Sequence, residues 1–147
     1  MIEETNKAAC RAFMERVFNS GELALIDELT APDGIDHQEP PGTDFRAHLR
    51  DVVTAMRTAF PDLHFEIHDM IAQGDIVAFR STMTGTQRGA LHMGPIHLPA
   101  TQRPVSVAHL HYIRFMDGKT VDLWPQYDIP GLMRQLGLTP APQRQPA

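Results

Sequence analysis

PVSVAHLHYIRFM, residues 104–116, decides the fold of this chain of 147 residues. Its apolar residues recur at every second position, which is the period of a β-strand that buries one face. Asp117-Gly118 follows, a pair typical of a two-residue hairpin turn. The chain then returns as KTVDLWPQYD, residues 119–128. We therefore predict a long antiparallel hairpin.

A second hairpin is predicted just before the first. Residues 63–70 alternate between apolar and polar side chains, Gly74-Asp75 marks a turn, and residues 76–87 are rich in β-branched residues. Residues 88–103 contain Gly, Pro and two histidines, so we predict a long loop there.

Helices account for most of the N-terminal part. Apolar residues recur at helical spacing in three segments, which we predict to be helices: residues 3–19, 23–29 and 44–60. Asp44 is the expected N-cap of the third helix. Residues 31–43 hold three prolines and two glycines and are predicted to be mostly loop. A short helix at 130–136 closes the pattern.

Helices followed by strands indicate an α+β fold. We expect a cone: a curved antiparallel sheet closed by the three N-terminal helices around an apolar pocket. A single domain should span residues 1–138, and residues 139–147 should form a Pro-rich flexible tail.

Composition excludes several classes of protein. The net charge is −5 with no long basic run, which argues against nucleic-acid binding. No apolar stretch reaches the roughly 20 residues that a membrane span needs, and one cysteine cannot build a disulfide framework. We expect a cytoplasmic protein that has neither nucleic acid nor a membrane as its partner.

Two histidines are the first candidates for chemistry. Strand alternation places His109 and His111 on one face with Val105, Val107 and Ile113. They are either a proton-transferring pair in the pocket or hydrogen-bonded core residues. Asp128 closes the last strand and could be a general acid or base, the cap of the terminal helix, or both.

Other side chains are candidates for binding substrate. We place His37, Trp124 and Gln126 at the pocket, and expect further lining from Phe13, Phe79 and Met93. Solvent-facing or packing roles are the alternatives for the first two. His92 and His97 flank Met93 and are either exposed loop residues or part of a mobile lid.

Three segments together resemble one protein family. They are HLHYIRFMDGKTVDLWPQYDIPGLMRQLG at 109–137, FPDLHFEIHDMIAQGDIVAFRSTMTGTQRG at 60–89, and IDHQEPPG at 35–42. In this order they resemble the SnoaL-like polyketide cyclases, also called ester cyclases, over nearly the whole chain.

The resemblance implies the nuclear-transport-factor-like α+β cone. It also implies an enzyme without cofactor or metal, whose partner is a small hydrophobic or aromatic polyketide-like molecule. Such enzymes close a polyketide ring by an intramolecular aldol step with an acid/base side chain. The chain departs from the pattern at Pro125, where the characterised cyclases carry the proton-transferring acid, and proline has no titratable group. We assign the acid/base role to Asp128 with His111 or His109, and by analogy with the family we expect a homodimer.

Other functions remain open at this point. Epoxide hydrolysis, isomerisation or dehydration could run in the same cone, and a non-catalytic ligand-binding protein would also fit the proline. A metal enzyme built on His109 and His111 is disfavoured, because no glutamate follows at the expected spacing.

Overall fold

A computed structural model describes residues 1–138. Its helices are α1 (Ile2–Ala12, extended by the π-helical Phe13–Phe18), α2 (Leu25–Leu29), α3 (Phe45–Ala59) and α4 (Ile129–Gln135). Its strands are β1 (Thr30–Asp36), β2 (His64–Gln73), β3 (Ile76–Thr86), β4 (Leu91–Met93), β5 (Ile96–Leu98), β6 (Pro104–Met116) and β7 (Lys119–Tyr127). The predicted tail at 139–147 lies outside the described residues.

The hairpin of β6 and β7 is confirmed. The two strands pair antiparallel, and Asp117 and Gly118 turn the chain with φ of 52° and 74°. Both values lie in the left-handed region that this turn requires. The inner face of β6 is buried as the alternation predicts, whereas Leu110 and Tyr112 on its outer face are exposed.

The main sheet is open and mixed. Its strand order is β1-β7-β6-β3-β2, so β1 and β2 are free edges and the sheet does not close into a barrel. The prediction of an antiparallel sheet with residues 31–43 mostly loop was wrong at one edge, where β1 pairs parallel with β7. Pro32 is tolerated there, since an edge strand needs ladder hydrogen bonds on only one side.

The loop predicted at 88–103 also contains structure. β4 and β5 form a separate two-stranded hairpin, with Leu91 opposite Leu98. Leu91 and Leu98 are buried. Burying a leucine stabilises a fold by roughly 1.5–3 kcal/mol, so packing of the two leucines fixes three-residue strands that local propensity does not indicate.

The helices cover the inner face of the main sheet. Asp44 caps α3 as predicted, since its carboxylate accepts a hydrogen bond from the Ala47 N–H at 3.0 Å. Arg57 ties α3 to the end of the first helix by donating to the carbonyls of Phe18 and Asn19 at 2.8 and 2.7 Å. The predicted cone-like α+β architecture is confirmed, with the helices on its inner side.

Candidate functional site

A large cavity lies between the helices and the inner face of the sheet. Its volume is about 1070 Å³, slightly above the roughly 300–1,000 Å³ typical of small-molecule sites. Apolar side chains dominate the wall; they include Phe13, Met14, Phe18, Phe65, Phe79, Met83, Met93, Ile113 and Leu123. The cavity can therefore hold a polycyclic or extended hydrophobic molecule.

One wall of the cavity carries a polar cluster of Asp36, Glu39 and His48. The Nε2 of His48 lies 3.2 Å from Oδ2 of Asp36 and 3.5 Å from Oε1 of Glu39. The side chain of Asp36 is only 8% exposed and that of His48 18%. Asp36 comes from the end of β1 and His48 from the first turns of α3, so the parallel edge strand and the helix together build this cluster.

The cluster is suited to proton transfer near neutral pH. The hydrogen bond to Asp36 raises the pKa of His48, and the charges of Glu39, Asp36 and Asp51 add to the effect against the opposing influence of burial. The other oxygen of Asp36 accepts from the Gln38 N–H at 3.0 Å. Since Asp36 is held on both sides, it orients the His48 ring in the manner of the carboxylate in catalytic triads.

His109 and His111 form a second, uncharged group in the same cavity. Burial lowers the pKa of His109 to about 3 and that of His111 to about 4, so both rings are neutral at physiological pH. The His111 ring stacks on Phe79 with centroids 4.7 Å apart, and the His109 ring stacks on Tyr127 at 5.2 Å. Packing therefore fixes both rings in place.

The Nδ1 atom of His111 is the exceptional atom of this pair. It is buried and has no hydrogen-bond partner among residues 1–138. Burying a polar atom without a partner costs roughly 1–3 kcal/mol, and such atoms often have a functional reason. Because His111 lines the cavity, a bound ligand could supply the partner.

Pro125 lies directly opposite His111 in the sheet. The β6–β7 register runs through this pair without a bulge, although a bulge or an unpaired edge is what a proline predicts. The Pro125 carbonyl accepts a hydrogen bond from the side chain of Gln38, beyond the end of β1. The position at which the resemblance places an acid thus faces the cavity but carries no proton-transferring group.

The structure distributes the predicted site residues over two faces of the sheet. The cavity wall includes five of them: Phe13, Phe79, Met93, His109 and His111. His37, Trp124 and Gln126 do not line the cavity. Trp124 and Gln126 lie instead at a shallower outer groove beside Leu110 and Tyr112.

His37 and Trp124 form a compact group away from the cavity. Their rings stack with centroids 4.3 Å apart and planes within 4°. The Nε2 of His37 lies 2.8 Å from Oδ1 of Asp122, and Arg114 sits over the Trp124 ring at 5.8 Å. These contacts with Asp122, Arg114 and each other indicate that the two rings pack on the outer face.

Asp128 also lies apart from the cavity wall. Its carboxylate accepts a hydrogen bond from the Gly131 N–H at 2.9 Å and caps α4. This is the capping interpretation that the sequence left open. The geometry brings His109 and His111 together, but it does not bring Asp128 into the same wall.

His48 and Glu39 are the residues that sequence reasoning missed. A signal for His48 was present, since it lies three residues after Phe45 on the apolar stripe of α3 that faces the cavity. The sequence analysis chose His37 rather than its neighbour Asp36, and strand alternation sends neighbouring residues to opposite faces. Glu39 follows the strand in a turn and carries no local signal.

The same polar cluster could hold a metal ion. Asp36, Glu39 and His48 each offer one ligand atom, and these atoms lie within 4.8 Å of one another. Two carboxylates and one imidazole suit several divalent first-row metals.

Cys10 also lines the cavity, but burial raises the pKa of its thiol to about 12, so it is not a nucleophile at neutral pH.

The chain matches one known protein family over most of its length. A model of the SnoaL-like polyketide cyclase family matches residues 8–136. The chain belongs to this family. Membership supports a general cyclase-like function on small polyketide-like molecules, and the matches do not favour the hydrolase, isomerase, dehydratase or binding-protein alternatives.

Solved structures of similar proteins have the same fold. IdmH of Streptomyces antibioticus, a candidate polyketide cyclase, is 30% identical, with 90% of this chain and 98% of that chain covered at a TM-score of 0.73. AclR of Streptomyces galilaeus, a candidate hydroxylase, is 28% identical with 95% and 89% covered at 0.74. TsrD of Streptomyces laurentii, 24% identical with 92% and 96% covered at 0.81, supports the fold alone.

Two negative results complete the comparison. No curated protein matches this SnoaL-like chain. Across residues 1–138, no helix has the length and apolarity to cross a membrane.

Proposed function

We propose that this SnoaL-like protein closes a ring in a polyketide or aromatic ester by an intramolecular aldol-type step, using acid/base side chains and no cofactor. The observation that carries the proposal is the Asp36–His48 hydrogen bond of 3.2 Å in the wall of a large apolar cavity. In our scheme this pair takes the role of the acidic residue that is absent at position 125, where the chain has proline. It also takes over the role that the sequence assigned to Asp128, which caps a helix instead.

His48 is the proton carrier in this scheme. In the neutral ring, the Nε2–H donates a hydrogen bond to Asp36 and keeps its proton. The lone pair on Nδ1 can then remove a proton from the carbon between two substrate carbonyls. The imidazolium that forms is stabilised by Asp36 and Glu39. Tuning a base toward the operating pH in this way favours general acid–base catalysis.

Ring closure then returns the proton. The enolate carbon attacks a ketone carbon of the same molecule, one carbon–carbon bond forms, and the ketone oxygen becomes an alkoxide. His48 donates its proton to that oxygen, so the step is balanced without an external acid. No oxidant or metal enters the proposed scheme.

His111 supports the enolate. A neutral imidazole with a low pKa can donate a hydrogen bond without transferring a proton, as histidine does when it polarises a carbonyl in an isomerase. The unpartnered Nδ1 of His111 is the donor in our scheme when that nitrogen carries the ring proton. His109, which stacks on Tyr127 and meets Phe65 edge-on, is the second neutral histidine in the same wall.

A rate assay with matched variants tests the proposal. The substrate is an anthraquinone-type β-keto ester, and product is followed by mass-resolved chromatography. We expect His48→Gln and Asp36→Asn to lower the rate by roughly 10²–10⁴-fold, the usual loss when acid–base catalysis is removed. Asp122→Asn is the control, because Asp122 forms a similar His–carboxylate contact at 2.8 Å with His37, away from the cavity.

The outcome of this assay is decisive for His48. Full turnover by His48→Gln would refute the assigned role. A further readout is exchange of the substrate's acidic C–H for deuterium, which reports proton removal without ring closure. Binding without exchange or product in the wild-type protein would contradict the cyclase proposal as a whole.

We also propose a homodimer that pairs through the outer face of the sheet. Large apolar side chains are exposed there: Leu110 is 56% and Tyr112 47% exposed, and Ile71 70%. Contiguous exposed apolar surface is typical of interaction sites. Cytoplasmic location and a one-domain organisation remain predictions, which fractionation and limited proteolysis would test.

A further inference from the structure

The β4–β5 hairpin carries a pair of histidines that the proposed reaction does not use. His92 and His97 are direct cross-strand partners, and both are exposed. Their Nδ1 atoms lie 2.8 Å apart. Two imidazole nitrogens at this separation either share one proton in an N–H···N hydrogen bond or stand ready to bind a common ligand.

Apolar cross-strand pairs on either side of the histidines hold the two rings in this geometry. Leu91 and Leu98, the neighbouring cross-strand pair, are buried in the core. Met93 and Ile96 form the next pair and pack against the same core. Because apolar contacts anchor the residues before and after the histidines on both strands, the Nδ1 atoms are pre-organised.

The separation matches that of two ligands on one metal ion. Zinc–imidazole bonds are about 2.0–2.1 Å long, so two ligands that subtend about 90° to 109° at the metal lie roughly 2.9–3.4 Å apart. The 2.8 Å separation needs only a small movement of exposed rings to reach that range. Imidazole is also a preferred ligand for zinc, copper and nickel.

We propose that His92 and His97 bind a divalent transition-metal cation of the zinc class through their Nδ1 atoms. Water fills the remaining coordination positions. The cation links the two strands of the hairpin at the wall of the cavity, to which His92, Met93 and Ile96 contribute. This role is separate from ring closure, and it requires no charge change at the Asp36–His48 pair.

Proton accounting for this binding step is simple. Without metal, one ring carries its proton on Nδ1, and this N–H donates a hydrogen bond to the Nδ1 of the other ring. When the metal binds, that proton moves to the Nε2 of the same ring through water, so both Nδ1 atoms present lone pairs. The exchange is balanced and releases no net proton.

Zinc titration of the full chain tests the proposal. Protein is stripped with a chelator, dialysed and titrated with ZnCl₂ by calorimetry. We expect a site with one zinc per chain, and a loss of affinity of tenfold or more in both His92→Gln and His97→Gln. His68→Gln is the matched control, since His68 is an exposed histidine of the main sheet with a partner, Thr82, at 2.6 Å.

A further variant separates the hairpin from the polar cluster of the cavity. Zinc bound to Asp36, Glu39 and His48 would be lost in His48→Gln, whereas the hairpin site persists in that variant. Nitrogen-15 shifts of the imidazoles identify Nδ1 as the ligand atom. The proposal is overturned if zinc does not bind, if His92→Gln and His97→Gln bind as tightly as wild type, or if only His48→Gln loses the site.

Discussion

Acidification from pH 7.5 to pH 5 is expected to lower the free energy of unfolding by about 4 kcal/mol through His109 and His111. In the folded protein, burial holds their pKa values at about 3 and about 4. In the unfolded chain an imidazole has its ordinary pKa of about 6.5. Between these values the unfolded state binds more protons, so stability falls as the pH falls.

The size of this stability loss follows from the difference between the solution pH and the ordinary pKa of histidine. At pH 5 the solution is about 1.5 units below the ordinary pKa, and one unit corresponds to 1.36 kcal/mol, so each histidine contributes about 2 kcal/mol. His48 acts in the opposite direction: its folded pKa is raised, so protonation stabilises the fold and part of the loss is offset. A total stability of roughly 5–15 kcal/mol makes the net change easily measurable.

Urea unfolding at pH 7.5, 6 and 5 measures this effect, with the fluorescence of Trp124, the single tryptophan, as the signal. His111→Phe keeps a ring against Phe79 but cannot titrate. We expect it to lose about 2 kcal/mol less than wild type between pH 7.5 and pH 5. His68→Gln, on the exposed outer face, should follow the wild-type profile.

The result that would refute the reasoning is an unchanged pH profile in His111→Phe. It would mean that His111 takes up its proton as easily in the folded protein as in the unfolded chain. The buried neutral ring, and with it the hydrogen bond that we assign to Nδ1, would then be lost from the proposed mechanism.

Three further predictions concern other parts of the molecule. Asp128→Ala should destabilise the protein by about 1 kcal/mol through loss of the α4 cap, measured by urea unfolding; a large loss of turnover at unchanged stability would instead return Asp128 to the catalytic site. Leu110→Glu should shift a dimer to monomer in light scattering, because it buries a charge in the proposed interface; a dimer that persists would place the interface elsewhere. Treatment with a chelator should leave the cyclisation rate unchanged; a loss that a divalent metal restores in both the wild type and His92→Gln would give the Asp36 cluster a metal role.

Where the sequence predicts well, the pattern is local and repeated. The inner face of β6 could be predicted from strict alternation over 13 residues, and the α3 cap from Asp44 before an apolar stripe. β1 could not be predicted, because Pro32 and Gly34 are poor strand formers and only pairing with β7 makes that segment a strand.

The polar cluster was missed for a related reason. Its members come from a strand edge, a turn and a helix, and no local pattern shows that Asp36 and His48 meet. Trp124 was placed at the pocket from its residue type, but the strand keeps its register through Pro125 and turns Trp124 away from the cavity. Once the register is continuous, Leu123, Pro125 and Tyr127 face the cavity and Trp124 faces outward.

The parallel contact of β1 with β7 also sets the order of assembly during biosynthesis. The contact joins His37 to Asp122, 85 residues later in the chain, and contacts of such long range form slowly because the intervening loop must close first. The α3 segment, with His48, is therefore synthesised well before Asp36 can pack against β7. The polar wall is complete only once the last strand has been synthesised, so a chain that ends before β7 lacks the strand pairing that positions Asp36.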